Sequence, residues 1–362
     1  MATWNDGVRP CLHLAWCKVN PMPTSTMVEM LTAIWQRVLQ RTSINVEDNF
    51  FDLGGDSSLA LQLFNEIALA SGRELQPVTI YVAPTIATLA AVLEQPADLR
   101  FPALVLLKDG AQQPPLFITH GLGGSVIDFF QVIKHIRTPH AIQGMQAKGL
   151  DSEEEPFDRI EDMAQFHLDA IRKVQPHGPY LLAGYSLGGL VTFEMAQQLT
   201  AAGEKVALLA MLDSYPDIRY LSLVQRARLV TRLTTRRATT AMRLPAGEAL
   251  SLIVRPSRRR STVPRVSYQL PVDVSLSPAM QRSRERAYLA LTRYKPRFYP
   301  GKIKFVRAEN PTAFPADPAA VWAHLAGRFE VETVPGDHLQ IMSTHYDKLA
   351  AAISRYVGEA LR

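Results

Sequence analysis

The sequence contains almost no cysteine. Among its 362 residues only Cys11 and Cys17 occur, and their spacing fits neither a metal-ligand motif nor a redox motif. A disulfide framework is therefore not indicated, and we predict two free thiols and no metal site.

Long apolar runs are missing as well. No stretch approaches the roughly 20 apolar residues of a membrane-spanning helix, and the start MATWNDGVRP lacks the basic and apolar regions of a signal peptide. We therefore expect a soluble, cytoplasmic protein with no membrane partner. Residues 1–24, which proline interrupts three times, are expected to form a flexible leader.

Acidic residues are scarce in one internal segment and abundant in another. Between Arg219 and Arg265 twelve arginines face a single acid, Glu248, whereas residues 27–95 carry eight acids and three arginines. The positive net charge of the chain therefore comes from one segment. This uneven distribution argues against nucleic acid as the partner.

Three apolar periodicities predict helices in the first quarter of the chain. Apolar residues recur at helical spacing over residues 27–38, 59–67 and 86–93, and the second pattern stops at Gly72. We expect residues 25–95 to form a small helical bundle.

A second domain is predicted at residues 104–362, after a linker at 96–103 that contains two prolines. In this domain, helical patterns alternate with short apolar runs typical of buried strands. The runs lie at 116–119, 141–145, 180–183, 206–212 and 303–306, and the helical patterns at 157–174 and 190–202. This alternation predicts a mostly parallel sheet with helices on both faces.

The first candidate site is Ser57, in the segment FFDLGGDSS, where a glycine-containing loop enters the second helix. A helix N-terminus offers unpaired N–H groups and partial positive charge, which favour a phosphodiester on a hydroxyl there. The two glycines would let an enzyme approach the backbone. On these residues alone another interpretation stays open, in which Asp56 or Ser57 only caps the helix.

With LALQLF after it and VAPTIATLA further on, this segment resembles the thiolation (peptidyl or acyl carrier) domains of nonribosomal peptide and polyketide synthases. The likeness covers residues 26–94. It implies covalent 4′-phosphopantetheine on Ser57, attached by a phosphopantetheinyl transferase. Ser58 stands where such domains more often have a bulky apolar residue, which bears on the choice of partner.

The second candidate site is a G-x-S-x-G motif at residues 184–188, between a predicted strand and a predicted helix. A nucleophile elbow requires this context, because the sharp turn exposes the serine at the carboxyl edge of the sheet. Gly184 and Gly188 remove side chains that the crowded turn would exclude. We predict that Ser186 is a nucleophile.

A serine nucleophile needs a base, and the base needs an orienting carboxylate. Asp213 follows the fourth strand-like run, so its carboxylate is expected at the same sheet edge. His338 lies in a loop after a further apolar alternation, whereas His324 and His345 fall in helical patterns. Asp337 adjoins His338 but could not easily turn back to its ring. We predict Asp213 and His338 as the partners of the nucleophile.

The segment ITHGLGG offers flexible backbone donors for the negative charge of a transition state. In hydrolases with this elbow, one donor N–H belongs to the residue after the nucleophile and the other to such a loop. We therefore predict an oxyanion hole formed by Leu122 and Leu187. His120 precedes the nucleophile in the chain and is expected to support the loop.

Five segments of the second domain resemble, in order, the landmarks of type I thioesterase domains that terminate nonribosomal peptide and polyketide synthases. They are PLFITHGLGG, IQGMQAKGLD, IEDMAQFHLDAIRKVQPHGPYLLAGYSLGG, MLDSYPD and GDHLQIM. The likeness covers about residues 104–358 apart from the middle of the arginine-rich part. It implies an α/β-hydrolase fold with Ser186, Asp213 and His338 as the catalytic triad, and Tyr185 is more like the peptide-synthetase branch.

That family places a variable lid over the active site, here at about residues 217–295, where the arginine-rich segment lies. Leu221, Val224, Leu229 and Leu233 interleave with arginines, which suggests amphipathic helices. Two interpretations stay open for the arginines. They form a solvated face, or they bind an acidic surface, which is either an anionic acyl chain or the carrier domain.

Together these features predict a freestanding carrier and thioesterase protein of secondary-metabolite biosynthesis. Ser57 would hold an acyl or peptidyl thioester loaded by separate synthase modules, and Ser186 would release it by hydrolysis or cyclisation. Two alternatives stay open. One is an acyltransferase that passes the acyl group to a second substrate, and the other is a non-catalytic carrier used for docking.

Overall fold

The computed structural model describes residues 25–75, 77–94, 103–150, 154–217, 278–311, 315 and 317–362, with single positions between 220 and 235. The chain divides into two compact units, Met1–Leu99 and Arg100–Arg362. The predicted leader with both cysteines, nearly all of the predicted linker and the middle of the predicted lid lie outside the described residues.

The first unit is built from helices. They are α1 (Ser25–Leu39), α2 (Ser57–Ser71), the single turn α3 (Thr79–Val82) and α4 (Ile86–Glu94). The three helices expected from the apolar periodicities are confirmed. The sequence analysis missed α3, because four residues are too few to show a helical period.

The core of the first unit lies between α1, α2 and α4. Trp35 of α1 is fully buried, and its ring meets Phe50 of the following loop edge to face at 5.2 Å. Helix α2 ends at Gly72, whose φ of 69° only glycine adopts without strain. Its N–H donates to the carbonyl of Ala68 and so closes the last turn.

The second unit contains a seven-stranded sheet. Its strands are β1 (Leu104–Lys108), β2 (Gln112–Thr119), β3 (His140–Met145), β4 (Tyr180–Tyr185), β5 (Val206–Leu212), β6 (Tyr299–Ala308) and β7 (Ala326–Val334). The strand order is β1-β3-β2-β4-β5-β6-β7. All neighbours run parallel except β1, which pairs with β3 antiparallel at the edge. The five strands predicted from apolar runs are confirmed, while β1 was not predicted.

Helices cover both faces of this sheet. They are α5 (Phe130–His135), α6 (Ile160–Val174), α7 (Leu187–Ala201), α8 (Pro278–Arg293), α9 (Ala319–Trp322), α10 (Gln340–Ser343) and α11 (Tyr346–Ala360). Helix α7 packs on β4, β5 and α6, and its first turns are buried on every side. No helix in the described part of the chain is long and apolar enough to cross a membrane.

Candidate active site

The turn between β4 and α7 holds Ser186 at the carboxyl end of the central strand. Its backbone has φ 55° and ψ −118°, and its N–H donates to the carbonyl of Leu212 at 2.9 Å. A non-glycine residue with this backbone is strained, and such strain is typical of a nucleophile elbow. The hydrogen bond ties the turn to the end of the neighbouring strand β5.

The two glycines of the motif are required by close packing. A Cβ on Gly184 would lie 2.2 Å from the carbonyl oxygen of Gly188. A Cβ on Gly188 would lie 2.3 Å from the carbonyl oxygen of His120, in the loop after β2. A side chain at position 184 would therefore push the end of β4 away from the start of α7, and a side chain at position 188 would push the elbow away from the end of β2.

His338 and Asp213 form a buried pair. The His338 Nδ1–H donates to Oδ2 of Asp213 at 2.7 Å, and both residues are less than 5 % exposed. The other carboxylate oxygen of Asp213 accepts the N–H of Ala308 at 3.1 Å. With both oxygens engaged, the carboxylate is held in one orientation, and Nε2 of the imidazole is the nitrogen that can accept a proton.

The strand order brings these two residues together, because β5, β6 and β7 are neighbours in the sheet. Asp213 directly follows β5, and His338 lies in the connection between β7 and α10. Asp337 instead caps the turn that follows it, since its Oδ1 accepts the N–H groups of Leu339 and Gln340 at 3.0 Å. His324 is exposed and His345 precedes α11.

Tyr185 connects the base to the elbow. Its hydroxyl donates to the backbone carbonyl of His338 at 2.6 Å. Its ring stacks on the imidazole, with centroids 4.8 Å apart and planes 21° apart. Because Tyr185 directly precedes Ser186, these contacts hold the imidazole next to the turn. Sequence reasoning used Tyr185 only as a family marker and missed this role.

The loop after β2 also approaches the elbow. A Cβ on Gly121 would lie 4.0 Å from the Cβ of Ser186, so the backbone of this loop passes close to the predicted nucleophile. Leu122 follows in the same loop. Leu187 is the first residue of α7, and the first N–H groups of a helix have no acceptor within it. The assignment of both N–H groups to an oxyanion hole stays a prediction.

Two buried histidines lie beside this loop. His120 donates its Nδ1–H to the carbonyl of Gly121 at 2.6 Å, and its ring meets that of His167 at 5.9 Å. Burial lowers the pKa of His120 to about 4, against the opposing effect of its bond to Gly121. Burial and the neighbouring His120 lower the pKa of His167 well below its usual range. Both rings are therefore neutral at pH 7, and nothing in the sequence pattern had indicated His167.

Helix α8, at the end of the predicted lid, lies against the same loop. A Cβ on Gly124, whose φ is 82°, would lie 2.6 Å from Oγ of Ser283. Arg286 and Arg293 of α8 form ion pairs with Asp158 in the segment before α6. Of the four apolar lid positions, Leu221 is 4 % exposed and Val224 is 59 % exposed. The expectation of a common apolar face is therefore wrong for Val224, and the other two positions lie outside the described residues.

Ser57 is the first residue of α2. The preceding residue, Asp56, caps the helix, because its Oδ1 accepts the N–H of Leu59 at 2.9 Å. Of the two residues that the capping interpretation named, Asp56 is the N-cap, and Ser57 is the first residue inside the helix. Gly54 has φ 96° and open space around its Cα, so a large group can approach the loop there. The start of the helix and the open loop fit a phosphodiester-linked arm on Ser57.

The parallel sheet and the strained serine turn at its centre define an α/β-hydrolase. Comparison with family models gives the narrower classification. Residues 114–356 match the model described as a thioesterase domain, and the chain belongs to this family. Residues 29–93 match the model described as a phosphopantetheine attachment site, so the first unit contains a carrier domain.

Similar proteins include large synthetases. A dimodular nonribosomal peptide synthase of Bacillus subtilis (strain 168) is 41 % identical over 196 residues, which are 54 % of this chain and 8 % of that protein. The indigoidine synthase of Dickeya dadantii (strain 3937) is 37 % identical over 190 residues, which are 52 % of this chain and 13 % of that protein. This chain therefore matches only a small part of each relative.

A crystal structure of a four-domain nonribosomal peptide synthetase bound to AMP and glycine has a similar fold. The TM-score is 0.57 at 22 % identity, and the match covers 93 % of this chain and 26 % of that one. At this level of identity the likeness concerns the fold alone.

Proposed function

We propose that the chain carries an acyl or peptidyl thioester on a carrier domain at residues 25–95 and releases it through a thioesterase domain at 104–362. Residues 96–103 are the linker between them, and about 217–295 form the lid of the thioesterase domain. The presence of both domain types in one chain supports this division of labour.

The hydroxyl of Ser57 is the proposed attachment point for phosphopantetheine. When bound, that group supplies a terminal thiol that holds the acyl group as a thioester. The N–H groups in the first turn of α2 favour the phosphodiester through the positive end of the helix dipole. A phosphopantetheinyl transferase is the partner that attaches the arm, and synthase modules supply the acyl group.

Ser186 is the proposed nucleophile. Its Oγ forms a bond to the thioester carbonyl carbon while its proton passes to Nε2 of His338, and the carbon–sulfur bond breaks as the thiol leaves with that proton. Asp213 holds the imidazole through Nδ1 and stabilises its positive charge. The backbone N–H groups of Leu122 and Leu187 receive the negative charge that develops on the carbonyl oxygen.

Release of the acyl group from Ser186 then uses His338 as a base for a second nucleophile. With water the product is an acid, and with a nucleophile of the acyl chain itself it is a ring. Transfer to an alcohol or amine of another substrate uses the same residues. The buried pair formed by Asp213 and His338 at 2.7 Å is the observation that favours an enzyme over a docking protein.

The test follows the release of thiol from a small acyl thioester. We expect Ser186→Ala and His338→Ala to lower kcat by about 10⁶-fold, since members of a triad act as a unit. Asp213→Asn should lower kcat by about 10⁴-fold, because the imidazole would favour the wrong tautomer. The control is His324→Ala, at an exposed position, which should keep wild-type activity. Normal thiol release by Ser186→Ala would refute the proposal.

A further inference from the structure

Tyr185 contacts two other parts of the candidate site, the histidine predicted as the base and the loop that follows β2. It lies at the end of β4, directly before Ser186, and is only 6 % exposed. On one side its ring stacks on His338. A Cβ on Gly121 would lie 3.2 Å from its ring, so the ring also lies against the loop that follows β2.

The base needs more support than Asp213 provides. The hydrogen bond from Nδ1 to the carboxylate lies in the plane of the imidazole, so by itself it lets the ring swing about the axis of that bond. His338 also lies on a connection between β7 and α10, and connections move more than the elements they join. A misplacement of about 1 Å at a reacting atom can cost 10²-fold in rate.

Tyr185 opposes both movements. Its ring covers one face of the imidazole at 4.8 Å, which blocks the swing of the ring. Its hydroxyl holds the backbone of the same residue at 2.6 Å, which fixes the connection. Phe129 meets the ring of Tyr185 at 6.3 Å, edge to face, and so supports the stack.

We infer that Tyr185 is a positioning residue that holds His338 over the nucleophile, so that the elbow motif itself orients the base. This inference rests on the proposed function, in which His338 takes the proton of Ser186. It assigns a role to the second residue of the G-x-S-x-G motif in this chain.

The first experiment measures kcat and KM with a small acyl thioester in the full chain. Tyr185→Phe keeps the stack and loses the hydrogen bond, and we expect kcat to fall about 5-fold, in line with the modest net value of one hydrogen bond. Tyr185→Leu loses both contacts, and we expect kcat to fall about 50-fold with KM nearly unchanged.

The matched control is Tyr180→Phe, on the same strand. The Tyr180 hydroxyl also donates to backbone carbonyls, those of Gln175 and Pro176 at 3.0 Å, but at the other end of β4. It should keep wild-type kcat. Equal losses for Tyr180→Phe and Tyr185→Phe would overturn the inference, because they would show a general effect on the strand.

The second experiment separates positioning from a structural effect on the elbow. The rate at which a fluorophosphonate labels Ser186 is measured in a double-mutant cycle with His338→Ala. If Tyr185 acts through the base, Tyr185→Leu is labelled about 50-fold more slowly than the wild type. The double variant with Tyr185→Leu and His338→Ala is then labelled at the same rate as His338→Ala alone. A further loss of the same size in the His338→Ala variant would overturn the inference.

The same double-mutant cycle is measured with Tyr185→Phe in place of Tyr185→Leu. If Tyr185→Leu does not fold, the labelling rates of the Tyr185→Phe variants test the inference. Failure of this inference is distinct from failure of the proposed function. In the first case the Tyr185 variants turn over normally while Ser186→Ala is inactive. In the second case Ser186→Ala itself retains activity.

Discussion

Ser186 and Asp213 share an unusual backbone, with φ values of 55° and 47°. Each follows a buried parallel strand, and each donates its N–H to the end of the next strand, to Leu212 and Val306 respectively. The sheet therefore holds both residues in a strained turn that aims their side chains off its edge. Alanine at position 186 would have the same backbone strain, so Ser186→Ala tests chemistry rather than folding.

The neutral pair of His120 and His167 makes stability depend on pH. The pKa of His120 is about 4 in the folded chain against 6.5 in the unfolded chain. Between these values the unfolded state binds more protons, so stability rises with pH across this window. The contribution of His120 to the free energy of unfolding is about 3 kcal/mol. This contribution is fully present above pH 6.5 and is lost as the pH falls toward 4.

We therefore expect that the unfolding midpoint, measured by scanning calorimetry of the full chain, falls as the pH is lowered from 7 to 4.5. His120→Asn should weaken this dependence, because a group that gains a proton on unfolding has been removed. His324→Asn, at an exposed position, should leave it unchanged. If His120→Asn keeps the full dependence, other groups account for the acid sensitivity.

At the level of elements, a buried polar cluster links helix α7 to the end of the predicted lid. Glu194 of α7 is 2 % exposed and accepts the hydroxyl of Tyr294, just after α8, at 3.0 Å. Gln197 donates to the same hydroxyl at 3.2 Å, and Arg297 contacts the other carboxylate oxygen at 3.2 Å. Burial, and then the charge of Glu194, raise the pKa of Tyr294 well above its usual range. The cluster therefore anchors Tyr294, at the end of the predicted lid, on α7.

Removing the Tyr294 hydroxyl should destabilise this anchor. Tyr294→Phe leaves a buried carboxylate with one hydrogen bond fewer, and we expect it to lower the free energy of unfolding by about 1–3 kcal/mol. Arg297→Ala should cost less than about 1 kcal/mol, since its side chain is 70 % exposed and its ion pair is screened. Urea unfolding of the full chain measures both. A larger loss of unfolding free energy for Arg297→Ala than for Tyr294→Phe would show that the arginine contributes more to this cluster than the hydroxyl does.

The whole molecule contains two units with separate cores. In the first unit the core includes Trp35 and Leu63, and in the second it includes Phe117 and Phe193, all fully buried. A short connection would make transfer between the units intramolecular, with an effective concentration of about 1 mM.

This organisation predicts a difference between release within one chain and release between two chains. The wild type, loaded with a radiolabelled acyl group, should release label at a rate independent of protein concentration. A mixture of loaded Ser186→Ala and Ser57→Ala should release label at a rate proportional to concentration. At 1 μM it should be slower by a factor on the order of 10³, from the ratio of the two concentrations.

The control is the mass of each protein after treatment with coenzyme A and a phosphopantetheinyl transferase. Ser186→Ala should gain the arm, and Ser57→Ala should gain none. Equal mass gain in both variants would show that another serine carries the arm. Equal rates of release in the mixture and in the wild type would show that the two domains of one chain are not coupled.

Features that depend on neighbouring residues could be read from the sequence. The three main helices of the first unit follow from apolar periods, which report which face of a helix is buried. Five parallel strands of the second unit follow from short apolar runs, which are typical of strands buried on both faces. The elbow at Ser186 is also local, because strand, turn and helix adjoin in the chain. So is the helix entry at Ser57. The four-residue helix at 79–82 was missed because a single turn shows no helical period. The edge strand at 104–108 was missed because it is short and partly exposed.

Contacts between distant residues were decided by the tertiary structure. The sequence indicated Asp213 and His338 as partners, but their 2.7 Å contact across 125 positions exists only because β6 pairs with both β5 and β7. The stack of Tyr185 on His338 and the buried bond between Tyr294 and Glu194 join residues with no local relation at all. Strand order and helix packing set such distances, and neither is encoded in the period of any single element.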